Sequence, residues 1–222
     1  MSEKINYSKM LEDKLKEIDG CGIRPRLLLH ACCAPCSSYV LEYLCSSFDI
    51  TLLYYNPNIF PEDEYNKRAE ELLRLAAAMK EEKIKGAESI EVVILPYTPN
   101  EFYEIAKGRE AENEGGARCF ECYRLRLEKT AALAKEGGYD YFCTTLSISP
   151  HKNAQVLNEI GAALSEKYGT QYLFSDFKKK GGYKRSCELS EHYGLYRQDF
   201  CGCVYSEIES KKRAERKGEG QN

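Results

Sequence analysis

Five short apolar runs, separated by stretches with helical spacing, restrict the fold of this chain more than any other feature. The runs are 26–31 (RLLLHA), Ile50–Tyr55, Ile90–Leu95, Tyr139–Thr145 and Gln171–Phe174, each of strand length and bounded by turn residues. Between them, segments at about 37–47, 62–83, 119–135 and after the 149–153 loop carry apolar residues at helical spacing. This alternation predicts an α/β fold, a parallel sheet with helices on both faces. Residues 4–18 (Ile5, Met10, Leu11, Leu15, Ile18) add a helix ahead of the first strand, ended by Asp19-Gly20 and Pro25. No repeat or long linker divides the chain. It reads as one domain with a helical extension over 1–25, a core over 26–205 and a charged C-terminal helical extension over 206–222.

In such a sheet, ligands sit beyond the carboxyl ends of the strands, where the dense motifs fall: CCAPC after the first strand, SPHKN after the fourth and DFKKKGGYKRS after the fifth. No apolar stretch approaches the roughly 20 residues of a membrane span, and the N-terminus has no signal-peptide core. A cytoplasmic protein without membrane association is therefore expected. With 32 basic and 35 acidic residues the formal charge is -3, so any contact with a polyanion must be local. Eleven cysteines in 222 residues are far more than a chain with its own core needs in a reducing compartment. They point to metal or redox chemistry.

The thiols divide by spacing. Cys21, Cys45, Cys143 and Cys187 stand alone and read as small packing residues. Cys119 and Cys122 form a CxxC at a helix start, better placed for a metal half-site than for a thioredoxin-like pair. Cys32 and Cys33 at the first strand's tip would complete a four-thiolate set. Zinc and a 4Fe-4S cluster both accept four thiolates; adjacent cysteines make a poor zinc knuckle, which favours the cluster. Cys36, near the first turn of the next helix, is open to three uses: a second metal, exchange with a cluster ligand, or packing. Cys201 and Cys203 form a CxC that can close a small labile disulfide, ligate a metal, or stay inert.

Lys178, Lys179, Lys180, Lys184 and Arg185, interleaved with Gly181-Gly182 and Tyr183, suggest contact with a phosphate backbone and a stacking ring; the same residues also suit a solvated loop. The 211–217 run alternates with acids and reads as an exposed helix end. Ser149 or Asn153 suits a helix cap. His151 is a candidate proton donor on a loop, His30 a hydrogen-bonded core residue, and His192 a partner for a helix C-terminus.

With HACCAPCSS, RCFECYRLRL, TTLSISPHKN, DFKKKGGYKRS and YRQDFCGC in order over about 26–205, the chain resembles the cobalamin-independent epoxyqueuosine reductases, the QueH family. The resemblance implies a HUP-type, Rossmann-like sheet and removal of the epoxide oxygen of epoxyqueuosine at the tRNA wobble position, the last step to queuosine. It further implies a 4Fe-4S cluster on Cys32, Cys33, Cys119 and Cys122, a redox-active disulfide between Cys201 and Cys203, and an adjacent iron for which Cys36 is the available ligand. Electrons would come from an external donor that the chain does not encode. Two rivals remain. A HUP-type tRNA thiolase would carry a Ser-Gly-Gly phosphate loop where this chain has HACCAPC. A zinc-stabilised RNA-binding module would be colourless.

Overall fold

The computed structural model describes residues 5–219, with side chains of the last helix as far as residue 216. Residues 1–4 of the expected N-terminal extension, the side chains of 217–219 and residues 220–222 of the charged tail lie outside the described residues. The five apolar runs are strands: β1 (Arg26–His30), β2 (Asp49–Tyr54), β3 (Glu91–Ile94), β4 (Tyr141–Thr144) and β5 (Gln171–Tyr172). They form one parallel sheet in the order β3-β2-β1-β4-β5. The helices are α1 (Tyr7–Cys21), α2 (Ala34–Leu44), α3 (Glu62–Glu81), α4 (Pro99–Ala106), α5 (Ala117–Glu136), α6 (Ala154–Tyr168), α7 (Gly182–His192) and α8 (Val204–Glu219). Two apolar cores result. One joins Leu11, Leu15, Val40, Leu44, Leu72 and Leu75 of α1, α2 and α3 to the sheet; the other joins Tyr123, Leu127, Leu157 and Leu164 of α5 and α6 to its opposite face.

The expected α/β architecture is thus the observed one, with differences at particular elements. The helix after β1 starts at Ala34 rather than near Ser37, because Cys33 sits at its N-cap in extended backbone and Pro35 occupies the first turn, where the missing N–H costs nothing. Short α4 has no counterpart in the sequence reading, since only Phe102 and Ala106 on it are buried. β5 stops at Tyr172 instead of Phe174. α7 begins inside the basic stretch read as a loop. α8 begins at Val204 within the expected core, and Ser210, Arg213 and Ala214 on it line the central cavity. It is a wall of the molecule as well as a charged tail.

α7 can lie against α2 only because residue 182 has no side chain. A Cβ there would stand 1.9 Å from the Phe177 carbonyl oxygen and 2.5 Å from the Tyr39 ring. Gly182→Ala should therefore lower stability by about 1–3 kcal/mol, measurable by chemical denaturation. An unchanged midpoint would show that the helix moves aside freely.

Candidate active site

Strand order places the site. β1 leaves toward β2 and β3 on one side, while β4 and β5 lie on the other, so the crevice opens between the carboxyl ends of β1 and β4. Crossover helices all start at that edge, and the starts of α2, α3, α5, α6 and α7 gather there with their partial positive charge. A cavity of about 550 Å³ occupies the crevice, lined by Cys32, Cys33, Cys36, Lys152, Cys201 and Arg213 among others. A smaller apolar recess beside it is lined by Cys119, Cys122, Cys201 and Cys203. Seven of the eleven cysteines therefore meet around two adjoining spaces.

Within this set the tightest group is Cys32, Cys33 and Cys36, whose sulfurs all lie within 4.8 Å of one another. The Cys32 and Cys33 sulfurs are 3.8 Å apart. Two sulfurs bound at 2.3 Å to one tetrahedral ion stand about 3.8 Å apart, so this triad can hold a metal ion. Its members differ from the four-thiolate set expected from spacing: Cys36 has joined Cys32 and Cys33, and Cys119 and Cys122 line the neighbouring recess. The reason is local. With Cys33 as N-cap, the first turn of α2 brings Cys36 back toward the strand tip, an approach that a pattern of two separate motifs does not display.

The triad shares its protons unevenly. Hydrogen bonds from Cys32 and Cys36 hold the Cys33 thiol well below its ordinary range, with the Arg68 guanidinium adding to the effect. Cys32 is pushed up to about 11, chiefly by its contact with Cys33, and Cys36 is raised by the same neighbours. Burial pushes Cys122 up to about 12 and raises Cys119 and Cys203. Soft thiolates in this number suit thiophilic metals and iron-sulfur groups.

Four buried cations, Arg68, Lys152, Arg126 and, in the wall of the recess, Arg118, flank the thiols, and none was singled out in the sequence. Arg68 on α3 is 2% exposed; it pairs with Glu64 at 2.7 Å and donates to the Cys201 carbonyl at 3.1 Å. Lys152 is 7% exposed, with its Nζ 3.1 Å from both Glu114 and the Cys201 sulfur. Burial opposes its charge, yet Cys201, Tyr123 and Glu114 together raise its pKa. Arg126, 2% exposed, donates from Nε to the Cys122 carbonyl at 3.1 Å and from Nη1 to Asn56 Oδ1 at 3.4 Å. Among the described residues no carboxylate lies within ion-pair distance of Arg126. A buried guanidinium without a carboxylate calls for other anions nearby, and Cys122, Cys201 and Cys32 are the groups that favour its charge when they lose their protons. The donor set and its counter-charges thus fit an anionic thiolate-bound group. Single cations scattered over α3, α5 and the SPHKN loop carry no motif, which is why only their convergence in space reveals them.

The remaining candidates fall in several places. Tyr183 and His151 line the cavity, as do Arg197 and Gln198, which the sequence reading passed over. Lys178 pairs with Asp176 at 2.9 Å, Lys180 with Glu12, Lys184 with Glu188 at 3.9 Å, and Arg185 with Glu42 at 2.7 Å. None of these four, nor Lys179, lines the cavity. His30 is buried, with Nδ1 against Thr144 Oγ1 at 2.9 Å and Nε2 against the Tyr55 carbonyl at 3.1 Å; burial holds it neutral, at about 4. Asn153 caps α6 through the N–H groups of Gln155 and Val156. His192, in the last turn of α7, meets Glu82 at 2.8 Å.

Comparison with known proteins decides the family. The model of the family "Epoxyqueuosine reductase QueH" matches residues 27–209. The chain belongs to this family. It is an oxidoreductase of the epoxyqueuosine reductase type. Among its curated QueH relatives, that of Streptococcus pyogenes is 45% identical, covering 92% of this chain and 79% of the relative. That of Staphylococcus epidermidis is 42% identical over 92% and 86%, and that of Thermotoga maritima 36% identical over 84% and 93%. All three are named epoxyqueuosine reductase QueH. The matched span runs from β1 into α8 and so includes every cysteine of the site. Among the described residues no helix is long and apolar enough to cross a membrane.

Proposed function

We propose that this chain reduces epoxyqueuosine at the wobble position of tRNA to queuosine, completing queuosine formation in the cytoplasm. The observation that carries the proposal is the convergence of seven thiols and four buried cations on two adjoining spaces in a chain of the QueH family. Cys32, Cys33, Cys119 and Cys122 would hold a 4Fe-4S cluster, and Cys36 an adjacent iron. When bound, such a centre supplies electrons one at a time and a Lewis acid for oxygen.

The chain's own residues do the rest. Opening an epoxide to an alkene consumes two electrons and two protons and releases water, and oxidation of the Cys201-Cys203 dithiol to a disulfide yields two electrons and two protons. An external donor then restores the dithiol. Ile59, Leu146, Ile148 and Phe200 give apolar walls to a cavity whose volume suits a modified nucleoside. His151 and Lys152 face it as candidate proton donors. Reduced protein given tRNA carrying epoxyqueuosine should produce queuosine, read by digesting the tRNA and separating its nucleosides. Unchanged epoxyqueuosine with fully loaded protein would overturn the proposal.

Tyr183 lines the cavity with Arg197, whose guanidinium lies 6.0 Å from the Tyr183 ring centre. The cations Lys178, Lys179, Lys180, Lys184 and Arg185 flank this pair in the chain. The ion pairs of Lys180, Lys184 and Arg185 lie on the surface and are weak, worth about 0–1 kcal/mol each, and an RNA phosphate can replace the carboxylate. Replacing Lys179 and Lys180 together with Ala should raise the tRNA dissociation constant and flatten its log-log salt slope by about one to two units, with metal content unchanged. An unaltered slope would assign the patch to solvent and leave capture to Arg197 and Arg213.

A further inference from the structure

The two thiols of the Cys201-Gly202-Cys203 loop occupy different environments. Cys203 is 7% exposed, immediately precedes α8 and packs against Phe102, Ala106 and Cys122. Its sulfur accepts from the Ser206 N–H at 3.4 Å and donates to Ser206 Oγ at 3.4 Å, tying it into the first turn of α8. Cys201 is partly exposed and lines the open cavity as well as the recess. Its sulfur accepts from Lys152 Nζ at 3.1 Å.

The loop cannot readily exchange these positions. Arg68 holds the Cys201 carbonyl at 3.1 Å, and the Phe60 N–H holds the Gly202 carbonyl at 2.9 Å. Gly202 has φ 120, and a Cβ on it would meet Arg68 and Ile59 at 3.0 Å, so neither side chains nor other backbone angles fit easily there.

We infer that electrons from outside enter the pair through Cys201, that the donor is a dithiol, and that Lys152 positions the Cys201 sulfur while Cys203 is the buried resolving thiol. The inference rests on the proposed redox role of the pair. A donor thiolate attacks the Cys201 sulfur, the Cys201–Cys203 bond breaks, and Cys203 departs as a thiolate toward the N-terminus of α8, where backbone N–H groups receive it. The donor's second thiol then displaces Cys201, closing the donor disulfide. Cys201 leaves as a thiolate beside the Lys152 ammonium. One dithiol becomes a disulfide, one disulfide becomes two thiols, and two electrons with two protons cross the interface.

Trapping tests this on the metal-loaded protein under anaerobic conditions. In Cys203→Ser, 5,5'-dithiobis(2-nitrobenzoate) should form a mixed disulfide at Cys201, mapped by peptide mass spectrometry. It should form about tenfold faster than the adduct at Cys203 in Cys201→Ser. Equal or faster reaction at Cys203 would overturn the order of entry. Lys152→Met should slow the adduct at Cys201 about tenfold, Lys152→Arg should restore it, and neither should alter Cys203; equal loss at both thiols would make Lys152 merely structural. Oxidised unmutated protein should regain both thiols with dithiothreitol or with a CxxC dithiol protein, and recovery with neither would overturn the dithiol donor. If peptide mapping of that oxidised protein finds no Cys201–Cys203 disulfide, the redox role itself falls, a failure distinct from a wrong order of entry.

Discussion

Protein prepared without oxygen should be brown and hold about four or five iron per chain. Cys32→Ala or Cys119→Ala should remove most of the iron and colour. The expected loss is large because a cluster held by four thiolates loses both a bond and its fit when one ligand disappears, and Glu114, the carboxylate lining the recess beside Cys119, is already paired with Lys152 and Arg213. The negative charge of such a group would also balance Arg126, which is buried and has no carboxylate partner among the described residues. Iron, acid-labile sulfide and the visible spectrum measure the outcome. A colourless protein with one tightly held zinc would remove the cluster, and the 3.8 Å separation of the Cys32 and Cys33 sulfurs would then describe a single tetrahedral ion.

Cys201→Ser and Cys203→Ser should each keep the visible spectrum and iron content while abolishing multiple turnover with any dithiol donor. Redox storage and ligation differ here: a stored electron pair is needed for every cycle, whereas a ligand is needed for the centre to exist. The loop's anchors, Arg68 on the Cys201 carbonyl and Phe60 on the Gly202 carbonyl, are backbone contacts that a Ser at either position leaves intact. A structural explanation for lost turnover is thereby removed. Loss of iron in either variant would make these cysteines ligands and require a different source for the electron pair.

The sequence alone determined the sheet and most of its helices, α4 and α7 excepted, because burial of a parallel strand on both faces demands short, nearly continuous apolar runs, and these are visible as such. It also singled out the seven thiols that the fold brings together, since seven of eleven cysteines fall in three close-spaced motifs, and the order of those motifs marks the family. Asn153 as a cap and His30 as a core residue were legible for a similar reason: each depends on neighbours in sequence or on a place within one strand.

Tertiary structure decided what depends on distant segments meeting. The grouping of Cys36 with Cys32 and Cys33 follows from the turn that starts α2. The convergence of Arg68, Arg126 and Lys152 comes from α3, α5 and the loop after β4, residues 84 positions apart from first to last in the chain. The basic stretch, conspicuous as a run, is divided by the fold into Tyr183 on the cavity and lysines paired on the surface. α8 became a cavity wall by packing that charge alternation does not encode. The difference between Cys201 and Cys203, one residue apart, is the sharpest case: nothing local separates them, and only the arrival of Lys152 at one sulfur and the start of α8 at the other makes one accessible and the other buried.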